Sequence, residues 1–111
     1  MERLYKMARG YNARFPNGVE PYQMLARLLE ECGEVASEVN LWENSGIKRQ
    51  KHGEPTKEAL AGELKQVFAA LAQLAAHYHV EAELDASIQA SLDRMEAEGL
   101  FAEGGEALGI G

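Results

Sequence analysis

Apolar residues recur at every third or fourth position through most of this chain, and no run alternates at a period of two. That spacing builds an apolar stripe on a helix and scrambles both faces of a strand, so it excludes a sheet. The two clearest stretches are "MLARLLEECGEVASEVNLW" (24–42) and "ALAGELKQVFAALAQLAAH" (59–77). Breakers separate them. "PNGVEP" (16–21) reads as a loop whose last proline suits the first turn of a helix, and "ENSG" (43–46) stops that helix. Thr56 is a suitable N-cap, with Glu58 in the first turn behind it. The pattern predicts helices over about 1–15, 21–42, 56–79 and 80–98, the last with Leu84, Ile88, Leu92 and Met95 on one stripe. The expected fold is all-α, a small four-helix bundle in a single domain over 1–100, followed by a loosely ordered Gly-rich tail at 101–111.

The formal charge of −7 disfavours a nucleic-acid polymer or an anionic membrane surface as a partner. A small phosphorylated ligand stays open, because a bound metal would reverse the local sign. Cys32 is the single cysteine and can form no internal disulfide, which fits a reducing cytoplasm. "MERLYKMARG" is charged and carries no secretory signal. The longest apolar run, "VFAALAQLAA" (67–76), is far short of the roughly 20 residues that a membrane span needs. A cytoplasmic location is expected.

Glu30, Glu31, Glu34 and Glu38 crowd the second helix, although like charges three or four positions apart repel. At about 100° per residue, Leu25, Leu28, Leu29, Cys32, Val35, Ala36 and Val39 form one arc, and Glu31, Glu34 and Glu38 fall at its edge beside Arg27. On the third helix Glu63 and Gln66 hold the same place relative to Leu60, Leu64, Val67, Phe68, Leu71, Leu74 and Ala75. Antiparallel packing of the two arcs would gather these polar edges on one lip. The acids are then either a solvated surface or a cation site, and oxygen-only donors suit Mg²⁺ or Mn²⁺ better than zinc.

"EECGE" (30–34) followed by "GELKQVFAAL" (62–71) resembles the paired signature of the MazG-like all-α nucleoside triphosphate pyrophosphohydrolases, Glu-Glu-x-x-Glu and then Glu-x-x-Asp. The resemblance covers roughly residues 20–98. It implies metal ligation by Glu31, Glu34 and Glu63, with Gln66 standing where the family has aspartate. It further implies hydrolysis of a nucleoside triphosphate to monophosphate and pyrophosphate with Mg²⁺ (Mn²⁺ possible), and assembly as a homodimer or homotetramer. Glu34 or Glu38 is the implied proton acceptor. A carboxamide at 66 removes one negative charge, so a weakened enzyme that binds nucleotide or metal is the alternative, and a structural helical oligomer is a third reading.

Other candidates are less specific. Lys48, Arg49, Lys51 and His52 form the one basic cluster, a phosphate-binding loop or a solvated connector. Arg94 could reach a phosphate or pair with a helix acid, and Arg27 should offset the acids beside it. Trp42 and Tyr22 could stack on a base or plug a core. His77 and His79 face different ways, Ser87 and Ser91 lack a paired histidine, and Cys32 should be packed. No phosphate loop of the P-loop type is present.

Overall fold

The computed structural model describes residues 1–18, 20–43 and 53–102. These form four α-helices: α1 (Glu2–Arg14), α2 (Pro21–Glu43), α3 (Lys57–His77) and α4 (Glu81–Ala97), with a 3-10 turn at Pro16–Gly18. No strand occurs among the described residues, and no helix there is long and apolar enough to cross a membrane. Residues 103–111 and the cluster Lys48, Arg49, Lys51 and His52 lie outside the described residues.

Local chemistry sets the ends. Pro21 opens α2, where a missing N–H costs nothing. Thr56 is extended (φ −125°, ψ 149°), and its hydroxyl accepts from Ala59 N at 3.1 Å, satisfying one free donor of α3. At the end of α4, Gly99 (φ 77°) donates to Glu96 O at 3.0 Å and Leu100 N donates to Met95 O at 3.1 Å. That reversal needs a left-handed residue, which glycine adopts without steric cost.

Contacts gather the chain into two units, Met1–Tyr78 and His79–Gly111. In the first, α3 packs against both α2 and α1. The α2–α3 pair is antiparallel. Arg27 meets Gln73, Glu31 meets Glu63, and Glu38 and Leu41 share a recess with Thr56 and Ala59. The fully covered residues are few and mostly small: Ala8, Met24, Leu41, Ala69, Ala70, Ala72 and Ala75, with Gln73 only 3 % exposed. Alanines let the three helices approach closely and contribute little buried apolar area.

Gln73 joins all three helices. Its Oε1 accepts from Arg27 Nη1 at 3.0 Å, and its Nε2 donates to Asn12 Oδ1 at 2.9 Å. Both ends of the buried amide are thereby satisfied. Gln73→Leu removes one hydrogen bond each from Arg27 and Asn12 and is expected to cost about 1–3 kcal/mol by urea denaturation. A double-mutant cycle with Asn12→Ala should show coupling of at least about 0.5 kcal/mol, and additivity would remove this account of the register.

The rotation of α2 corrects the expected core. Its covered positions are Met24 and Leu41, with Arg27, Leu28, Glu31, Val35 and Glu38 half-buried. Leu25, Leu29, Cys32, Ala36 and Val39 are exposed instead of packed. Glu31 and Glu38 therefore lie in the middle of the sheltered face and not at its edge. On α3 the same turn leaves Leu64, Phe68 and Leu71 exposed, while Glu63, Gln66 and Gln73 share the sheltered side. The physical reason lies in the contact itself: small alanines and the Arg27–Gln73–Asn12 network pack more tightly than bulky leucines could.

The second unit is described by itself. In α4, Leu84 is half-buried and Ile88, Leu92 and Met95 are 40–42 % exposed along their shared stripe. Gln89 Nε2 donates to Asp93 Oδ1 at 2.9 Å on the outer surface.

Candidate functional site

The antiparallel contact of α2 and α3 determines which acids meet. Glu31, Glu34 and Glu38 succeed one another along α2, and Glu63 faces them from α3. Glu31, Glu38 and Glu63 are half-buried, while Glu34 is exposed. Glu63 is held above its ordinary value of 4.5, first by desolvation, then by the charges of Glu31, Glu34 and Glu38, and by a side-chain hydrogen bond with Glu31. The neighbouring carboxylates disfavour the charged form of Glu63.

Beyond that pair the groove opens into a recess of about 360 Å³. Glu34, Ser37, Glu38 and Leu41 line it from α2, and Glu54, Pro55, Thr56 and Ala59 line it from the start of α3. Glu38 Oε2 is buried with no hydrogen-bond partner among the described residues. An orphaned carboxylate oxygen is costly unless a cation or a donor reaches it. The residue types fit a hard divalent cation, since every available donor is oxygen. The side-chain placement is a different matter. Among the described residues no three His, Cys, Asp or Glu side chains are positioned to hold a metal ion. Ligation of a cation there would require these carboxylate side chains to rearrange around it.

Gln66 is half-buried, three positions beyond Glu63 on the same helix. Arg94 belongs to the second unit, where its Nη2 donates to Ser91 Oγ at 3.4 Å. Lys48 and Lys51 lie outside the described residues. Arg27 donates to Gln73, one turn from Glu31. Tyr22 is 86 % exposed and Trp42 is 37 % exposed, so neither plugs a core. His77 and Tyr78 form an edge-to-face ring contact at 4.9 Å. Sequence reasoning missed Glu54, Ser37 and Thr56 as walls of the recess. Glu54 and Thr56 flank a proline ahead of a helix, which signals an N-terminus and nothing about the neighbour opposite.

Comparison of the chain with family models, with curated proteins and with solved structures finds no match.

Proposed function

We propose that this chain is a cytoplasmic, metal-dependent nucleotide pyrophosphohydrolase of the MazG-like type, converting a nucleoside triphosphate to monophosphate and pyrophosphate. The observation that supports it is the convergence of Glu31, Glu34 and Glu38 with Glu63 across one helix–helix contact. Sheltering Glu31, Glu38 and Glu63 together beside Glu34 costs stability, and a cation is what offsets that cost. In this reading Glu31, Glu34 and Glu63 hold Mg²⁺ or Mn²⁺, with Gln66 offering its amide oxygen. Such a cation supplies charge neutralisation to the phosphates and acidity to a water molecule. Glu34 and Glu38 sit on the wall of the adjoining recess and serve as the candidate acceptors of the water's proton. Lys48, Lys51 and Arg94 remain the proposed phosphate-binding residues. The active unit is a homodimer or homotetramer, which allows another copy to supply groups that one chain lacks.

The test is pyrophosphate release from a panel of nucleoside triphosphates with Mg²⁺ or Mn²⁺, beside a thermal-shift titration with each metal. Metal at about 100 times its dissociation constant should add about 2.7 kcal/mol of stability. A chain that releases no pyrophosphate and shows no thermal response to either ion leaves only a helical scaffold. Gln66 favours a second reading, a weakened relative that binds metal or nucleotide without efficient turnover. Under it, Gln66→Asp restores a charge and raises turnover, and unchanged or lower activity in that variant counts against it.

A further inference from the structure

Positive charge in this acidic chain collects on one helix. α1 carries Arg3, Lys6, Arg9 and Arg14, all exposed, against the single acid Glu2. By contrast α2 and α4 are each strongly acidic, and α3 balances two lysines with two glutamates. α1 and α3 run parallel: Asn12 meets Gln73 near their C-terminal ends, and Leu4 and Met7 share a groove with Ala61, Leu64 and Phe68 near their N-terminal ends. The groove holds about 940 Å³ and is lined by these two helices alone. Within its apolar lining Leu4 and Met7 are half-buried, while Leu64 and Phe68 are 42 % and 51 % exposed. Arg3 and Lys65, both exposed, line it from opposite walls, with Glu2 as the one acid among the lining residues. Arg3, Met7, Gly10 and Arg14 follow at steps of four, three and four, which keeps them on one side of α1 for about 16 Å. A Cβ placed on Gly10 would meet nothing within 4 Å, so that wall stays low.

We propose that this groove is the docking site for an amphipathic helix of an acidic partner protein. The partner's apolar stripe lies between α1 and α3, and its flanking carboxylates meet Arg3, Lys65 and Arg14. Shape and charge select this occupant. A channel between two parallel helices offers two ridged walls, and a third helix fills it with side chains at steps of three and four. Walls that carry one base each repel a cationic segment and attract an anionic one. An anionic bilayer fits less well, because a concave groove hides its apolar residues from a flat surface and the acids of α2 and α4 are repelled by it. The site is distinct from the acidic contact of α2 with α3, since Phe68 lies five positions, about 140°, from Glu63 on α3.

The probe is a fluorescein-labelled peptide of about 15 residues, with leucines at alternating steps of three and four and glutamates on both flanks. A second peptide carries lysine at every glutamate, and each is titrated with the full chain by fluorescence anisotropy. The glutamate peptide should bind, the lysine peptide should bind about tenfold more weakly or worse, and the preference should shrink with added salt. Phe68→Glu should weaken the glutamate peptide about tenfold or more, and Leu29→Glu on the exposed face of α2 should leave it unchanged, with circular dichroism showing equal helix content in both. In the double variant Arg3→Glu/Lys65→Glu the preference should invert, a result that misfolding does not produce. Equal binding of the two peptides, or binding of neither, overturns the proposal. So does a Phe68→Glu variant that binds like the unmodified chain, or a double variant without inversion. An oligomer in sedimentation that Phe68→Glu dissociates also overturns it, because a second copy then fills the groove. Vesicles of phosphatidylglycerol and phosphatidylcholine that the chain binds through Phe68, while it ignores the glutamate peptide, overturn it in favour of a membrane surface.

Discussion

On the proposed pyrophosphohydrolase reading, Glu34→Gln is expected to lower pyrophosphate release by about 100- to 10,000-fold, the usual contribution of a positioned acid–base group, and more if the same oxygen also holds the cation. Glu34 suits this test because it is exposed and lines the recess, so the near-isosteric amide disturbs no packing. Its stability should change by no more than about 0.5 kcal/mol. Steady-state kinetics with saturating Mg²⁺, compared with thermal unfolding of the same sample, separates lost chemistry from lost fold. Activity within threefold of the unmodified chain would show that Glu34 neither ligates nor accepts a proton. Glu38→Gln discriminates further, since its Oε2 is buried with no hydrogen-bond partner among the described residues.

Glu63→Gln should act in opposite directions on the apo chain and on its response to metal. Glu63 titrates above 4.5 because of partial burial, the charges of Glu31, Glu34 and Glu38, and the bond to Glu31. A raised folded-state value means that its stabilising contribution is complete below the unfolded value and is lost as pH climbs through the folded one. At neutral pH an ionised Glu63 is therefore a liability. The amide cannot ionise and can still donate to Glu31, so the variant should melt higher at pH 7 without divalent ions. Like-charge pairs cost a few tenths of a kcal/mol each and three acids face Glu63, which suggests about 1 kcal/mol, or about 4 °C. The advantage should shrink toward zero as pH falls below 4.5. On the proposed metal-site reading the order should reverse with Mg²⁺ or Mn²⁺, because the variant would have one ligand fewer. A variant that melts lower than the unmodified chain at pH 7 in chelator would mean that the carboxylate is already compensated.

Period alone determined the all-helical architecture, since a repeat of three and four fits no strand. Short-range stereochemistry determined the helix ends: Pro21 at the first turn of α2 and Thr56 capping α3 are decided by φ, by a missing N–H and by one hydroxyl. Glu31, Glu34, Glu38, Glu63 and Gln66 stood out by their spacing, which is again local information. The rotation of each helix was beyond reach. A helical wheel ranks residues by hydropathy and assigns the bulkiest apolar arc to the core, yet the chain buries Met24, Leu41 and a set of alanines and turns Leu25, Leu29 and Val39 outward. Close approach of backbones and a fully satisfied Gln73 decide that rotation, and both depend on residues tens of positions apart. The same tertiary choice put Glu31, Glu38 and Glu63 together at the α2–α3 contact, and with it the raised titration of Glu63 and the recess beside Glu38.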